Sequence, residues 1–211
     1  MTTTSPRGQR MPRTERRAQL LEAAQSVFVA RGYHAAAMDE IADRAGVSKP
    51  VLYQHFPGKL ELYLALLDQH CDTLEQLVRS ALDQPAEDNR DRVMATIGAY
   101  YEFVSRDGAA FRMVFESDLT SVPQVRQRLD SVELACAEMI ADVISADTGI
   151  DDERAMLLGT ALAGMAQITA RHWLGQNGSL ARDDAAALIG TLAWRGLGAI
   201  PMVAGERTDA S

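Results

Sequence analysis

The chain is predicted to be all-α: a small N-terminal helix-turn-helix domain of three helices, then a larger helical body. Three observations predict this. Apolar residues recur three and four apart through every long segment. β-branched and aromatic residues are sparse, aromatics making up only 6% of 211 residues, which leaves little material for a sheet. Glycine and proline punctuate the periodic stretches.

Residues 1–13, MTTTSPRGQRMPR, are polar and carry no apolar period, so a disordered basic arm is expected. Its arginines, with those of the next helical turn, suit a DNA backbone or a minor groove. The first helix is expected over 14–31, capped by Thr14, with Leu20, Leu21, Ala24, Val27 and Phe28 on its buried side. Gly32 ends it.

The stretch Met38–Lys59, MDEIADRAGVSKPVLYQHFPGK, organises the rest. Met38, Ile41, Ala42 and Ala45 give a short helix one apolar face. Gly46 stops it, because glycine takes the left-handed conformation that other residues resist. Ser48 is expected to cap a second helix through its hydroxyl, and Pro50 sits in the first turn, where its missing N–H costs nothing. Leu52 and Phe56 face inward; Lys49, Val51, Tyr53, Gln54 and His55 are left outside. Two turns with that surface have too little apolar area to serve as core. The pattern is a helix-turn-helix whose second helix suits a DNA major groove.

From Gly58 an amphipathic helix is expected to about Leu82, starting beside the reading helix and ending in the next domain. One rod touching both is the mechanical premise for a switch. Gln84–Asp88 breaks the pattern. Further helices are expected at 89–105, 108–117, 123–146, 151–175 and 181–199. This makes 14–58 the DNA-binding domain, 59–200 a ligand-binding and dimerisation domain, and 201–211 a flexible tail. In the last two helices, Gly159, Gly164, Gly190, Gly196 and Gly198 share the segments with leucines. Clustered glycines suggest close backbone packing, here expected with a second copy as a four-helix interface.

Net charge is −8, unevenly placed. Residues 1–60 hold nine Lys or Arg against five Asp or Glu, +4; the rest hold 12 against 24, −12. A basic head on an acidic body orients an encounter with DNA. Cys71 and Cys136 have no metal-like spacing and read as reduced core thiols. The absence of a signal peptide or membrane-length apolar run points to a cytoplasmic protein without a membrane partner.

The run from Arg16 to about Leu67, carried by LLEAAQSVFVARGYHAAAMDEIA and AGVSKPVLYQHFPGKLELYLALL, resembles the DNA-binding domain of the TetR family of bacterial transcription regulators. The resemblance implies a three-helix DNA-binding domain, a helical ligand-binding domain, and a homodimer on a palindromic operator of double-stranded DNA. It implies that Lys49, Pro50, Val51 and Tyr53 face base edges. Lysine can donate to guanine, and Val51 and Pro50 can meet a thymine methyl. Tyr53, His55 and Lys59 fall where phosphates are touched; Arg44 and Ser48 complete the DNA-facing set. The family usually has Thr or Ser before the first helix of the pair, where this chain has Ala36 and Ala37, so no phosphate contact is assigned there.

A closer likeness, in FRMVFESDL and ISADTGID as well, is to an actinobacterial subgroup that regulates fatty-acid synthesis genes, and implies a long-chain acyl-CoA effector. Tyr100, Phe103, Phe111, Met113, Phe115, Met139, Met165 and Trp173 are the candidate lining of an apolar pocket. By its spacing each is more often a plain core residue than a pocket wall. Gln167, Arg112, Arg171 and His172 are the polar candidates to orient a ligand. Two other readings compete: a DNA-organising protein without effector, and a sensor of unrelated apolar compounds. No enzyme, cofactor or metal is expected, because the four histidines lack HExxH spacing and no GxSxG, phosphate-loop or dinucleotide motif occurs. Asp151-Asp152 and Asp183-Asp184 are explained as acids at helix starts.

Overall fold

The computed structural model describes residues 11–84, 88–106, 113, 119–176 and 179–196, and all regular structure among them is helical. The chain divides into two compact units, Met1–Gln69 and His70–Ser211.

In the first unit α1 (Arg13–Ala35) begins one residue earlier than expected, with Pro12 at the cap position. Thr14 therefore lies inside the helix and caps nothing. Gly32 breaks α1 with φ 74° and ψ 162°, where the sequence places its end. α2 (Met38–Arg44) starts from Ala37 without any side-chain cap, as the alanine run implies. It ends in a paired closure: Gly46 N–H donates to the Asp43 carbonyl and Val47 N–H to the Ala42 carbonyl, both at 3.0 Å. That closure needs a left-handed residue, and Gly46 sits at φ 64°.

α3 (Lys49–His55) is the short second helix. Ser48 occupies its cap position, but the hydroxyl makes no capping bond, contrary to expectation. Pro50 stands in the first turn. Leu52 and Phe56 are buried, joining Leu20, Phe28, Ile41, Leu62 and Leu66 in one core. The first turns of α4 (Lys59–Asp83) complete it. Tyr63 meets Phe28 edge-on at 5.5 Å and Tyr33 at 5.2 Å, which braces the break at Gly32 within α1.

The second unit holds the rest of α4 with α5 (Asn89–Arg106), α6 (Pro123–Thr148), α7 (Asp152–Gly175) and α8 (Arg182–Arg195). The expected helix over 108–117 lies outside the described residues except for Met113, which is helical and buried. So do residues 1–10, most of the expected arm, and the tail. α6 packs on α7, and α5 on both α7 and α8. Gly149, left-handed at φ 70°, ends α6. Asp151 then caps α7, its Oδ1 accepting from Arg154 N–H at 2.9 Å. Arg128 of α6 reaches Asp72 at 2.7 Å and Glu75 at 3.2 Å on α4.

Two of the helical glycines stand where the chain leaves no room for a side chain. A Cβ on Gly159 would collide with the Ala137 carbonyl of α6, and one on Gly190 with Met94 of α5. Gly164 meets nothing within 4 Å, and Gly196 closes α8 at φ 71°. Gly159 and Gly190 are thus crowded within the chain itself, and Gly198 lies outside the described residues.

Candidate nucleic-acid interface and effector cavities

The first unit presents α3 edge-outward. Lys49, Pro50, Tyr53 and Gln54 are exposed, and Tyr53 keeps 47% of its surface open although it is a large aromatic. Leu52 and Phe56 hold the helix from behind, so the outer flank is free without loosening the fold. Beside it lies an open groove lined by Arg13, Arg16, Val47, Ser48, Val51, Gln54 and His55. The N-terminal turn of α1 therefore borders the same surface as the reading helix. Gln54 is a member that sequence reasoning left unassigned; its position in the outward run was the signal.

Each expected DNA-facing residue has a distinct setting. Ser48 is exposed with its hydroxyl uncommitted to the helix. Lys49 Nζ donates to Asp39 Oδ2 at 2.5 Å, and that hydrogen bond, ahead of all other influences, raises its pKa. His55 is pushed below the usual 6.5, by burial first and then by Arg13, Arg17 and Arg16. Arg44 is exposed on the last turn of α2. Arg17 lies over the Phe56 ring, 4.3 Å from its centre, which fixes one of the arginines at this edge.

Lys59 departs from its expected role. Its ammonium donates to the main-chain carbonyls of Tyr33 (2.8 Å), His34 (3.2 Å) and Ala36 (2.9 Å) and sits over the Tyr33 ring. Three donors meet three acceptors, which leaves no free proton to aim at a phosphate. The residue clamps the start of α4 to the chain entering α2.

In the second unit the candidate pocket residues do not assemble as one lining. Tyr100 borders a cavity of about 80 Å³ with Leu74, Cys136, Thr160, Gly164 and Gln167. Burial raises the Tyr100 pKa well above its usual value, and pushes the Cys136 thiol up to about 11. Phe103 and Met113 are core; Met139 and Met165 are half-buried. Trp173 packs on Tyr101 at 5.7 Å and donates from Nε1 to the Leu180 carbonyl at 2.8 Å, a structural anchor. Phe111, Phe115 and Arg112 lie outside the described residues. Arg171 and His172 are exposed, and Gln167 donates to Glu133 at 3.1 Å.

A second cavity, of about 140 Å³, opens among Leu82, Val93, Ile97, Ile144, Leu162 and Trp194, with Arg92 and Asp147 beside it. None of its residues was in the expected lining. Branched aliphatics at helical spacing read as ordinary core, and a gap between them has no sequence signature. Among the described residues no helix is long and apolar enough to cross a membrane, and no cluster of three or more metal-ligating side chains occurs.

Residues 20–66 match the family model described as bacterial regulatory proteins, tetR family. The chain is 47% identical over 196 residues to the HTH-type transcriptional activator FasR of Mycolicibacterium smegmatis, covering 93% of this chain and 89% of that one. A TetR-like transcriptional regulator from Rhodococcus sp. RHA1 superposes with a TM-score of 0.69 at 28% identity, over 90% of this chain and 100% of the other. The regulator FadR from Bacillus subtilis, solved in complex with stearoyl-CoA, has the same fold at 16% identity and a TM-score of 0.69, covering 85% and 98% of the two chains.

Proposed function

Since this chain belongs to the TetR family of bacterial regulatory proteins, and so is a helix-turn-helix transcriptional regulator rather than an enzyme, we propose that it grips a palindromic operator as a homodimer and answers to a long-chain acyl-CoA. The observation that carries the DNA half is the outward flank Lys49–His55 beside Arg13 and Arg16. Lys49, Pro50, Val51 and Tyr53 face base edges, and Arg44, Ser48 and His55 meet phosphates or their approach. Lys59 acts as the clamp behind them.

One short reading helix spans too few base pairs to be selective, and two-fold symmetry doubles the contacts at half-sites about 34–36 Å apart. Leu157 and Ile168 on α7 and Leu188 on α8 favour a second copy as partner. They are large, aliphatic and 72%, 58% and 51% exposed in the single chain. A cytoplasmic location follows from the same role.

The effector reading rests on the likeness to an activator named FasR and on the stearoyl-CoA held by a protein of this fold. A long acyl chain exceeds both of the cavities described above. Its entry must part α5, α6 and α7, and that opening displaces the distal half of α4. The other half carries Lys59. A few ångströms of change in the spacing of two reading heads is enough to weaken a site read at fixed separation. The experiment is operator binding followed by fluorescence anisotropy during titration with stearoyl-CoA. Salt-sensitive binding that stearoyl-CoA changes ten-fold or more is expected. Salt-insensitive or absent DNA binding would overturn the DNA half, and indifference to the ligand would overturn the effector half.

A further inference from the structure

Viewed down its axis, α3 turns about 100° per residue, and Leu52 is its buried point. Pro50, two residues back, and Gln54, two residues on, each stand about 160° round from Leu52. Both are exposed, and together they form the outward crest of the helix. Lys49 and Tyr53 fall on one shoulder of that crest, Val51 and His55 on the other. Much of this flank is already engaged. Lys49 is held by Asp39 at 2.5 Å, and Val51 and His55 are half-buried. The Gln54 amide makes no hydrogen bond to any other described residue. It opens on the groove that Arg13, Arg16, Ser48 and Val51 also line, and no carboxylate is among the lining residues.

We propose that Gln54 is a specificity-determining residue of α3 and selects an adenine in each operator half-site, a role that rests on the DNA half of the reading above. Its head group chooses the base. A carboxamide carries an N–H donor and a carbonyl acceptor side by side, and adenine presents N7 and its N6 amino group to match them in the major groove. Guanine presents two acceptors there, which would set the amide carbonyl against O6. The neighbours lack this pairing: Lys49 only donates, Ser48 reaches with a single atom, and Pro50 and Val51 offer apolar contact alone. Position sets the reach. A recognition helix meets the bases first through its N-terminal turn. One turn past Pro50 the crest has moved on by about 6 Å, so a longer side chain is needed to touch the same floor. Gln54 supplies that length. Arg13 and Arg16 on the groove wall suit the phosphates of one strand, which brings Gln54 over its bases.

The test is selection of bound duplexes from a randomised pool by the full-length protein. Anisotropy then compares the four base pairs at every half-site position. Wild-type protein is expected to prefer adenine at one symmetric pair of positions by about ten-fold or more. Gln54→Ala should lose the preference there alone, with an unchanged profile elsewhere and an unchanged melting temperature. Gln54→Met keeps the stem and replaces Gln54→Ala should the latter misfold. Gln54→Arg should move the preference at those positions to guanine, a gain that no loss of structure can mimic. Its added charge favours all sequences alike, so the ratio between base pairs is what is read. A base profile shared by wild type and all variants would overturn the role of Gln54. So would uniform weakening across every sequence, the mark of a contact to phosphate or sugar. Failure of the wild type to retain any duplex would overturn the DNA reading itself, an outcome distinct from retention with an unaltered profile.

Discussion

The ammonium of Lys49 is not idle in the free protein: it is held by Asp39 across the turn between α2 and α3. Contact with a guanine requires it to exchange that carboxylate for base acceptors, and a random duplex offers no equivalent return. In the proposed complex Asp39 would therefore act against promiscuous binding as well as steadying the lysine. Asp39→Asn should raise affinity for scrambled duplex several-fold more than for operator, narrowing the ratio measured by anisotropy at one salt concentration. Lys49→Ala should weaken operator binding roughly ten- to hundred-fold and flatten its salt dependence. Wild-type behaviour of both variants would remove the pair from the interface. His55 supplies the pH test. Burial and three arginines hold its pKa down in the free protein. Phosphates arriving beside those arginines cancel their repulsion and favour the charged ring. Its pKa is then higher in the complex, so binding takes up a proton. Operator affinity should rise as pH falls from 8 towards 6, with the gain complete below the free-state pKa and lost as pH climbs through the complex value. His55→Gln should flatten that slope at constant ionic strength.

Among elements, the two glycines of α7 make opposite predictions. Alanine at a helix-interior glycine ordinarily stabilises by about 0.5–1 kcal/mol. Gly164 has open space for a Cβ, so Gly164→Ala should do so in urea unfolding. Gly159 has the Ala137 carbonyl in that space. Gly159→Ala should destabilise by about 1–3 kcal/mol, since the obstacle is backbone of α6 and cannot swing aside. The same contrast explains what was legible in the sequence. Helix positions, the Gly46 closure and the inward pair Leu52 and Phe56 follow from periodicity and local backbone rules, which a sequence displays. The neighbour of Gly159, the clamp made by Lys59 and the partner of Lys49 depend on residues 10 to 26 positions away. Ser48 satisfied every local rule for a cap and still made no bond, because a propensity states what a side chain can reach, not what it keeps. The pocket was least legible. Aromatic and methionine positions marked core, while the open space lay behind aliphatic residues that carry no mark.

At the scale of the whole molecule the uneven charge and the exposed aliphatic face work together. With +4 on residues 1–60 and −12 on the remainder, DNA bound as proposed would attract the first part and repel the second, which would orient the approach. Two copies joined through α7 and α8 would double that polarity. Leu157→Asp combined with Ile168→Asp should convert the protein to monomer in sedimentation experiments. Operator affinity should fall by at least a hundred-fold, with the fold of each chain kept; a double variant that stays dimeric would rule this face out.

Lys59 joins these scales. Because its ammonium grips the Tyr33, His34 and Ala36 carbonyls just ahead of α2, a twist of α4 on effector binding, as proposed, would be carried to the entry of the reading pair. Replacing it with methionine would keep the stem's bulk and sever the grip. Such a protein should still recognise its operator yet become deaf to the effector, a separation of reading from listening that no change on the DNA-facing flank could produce.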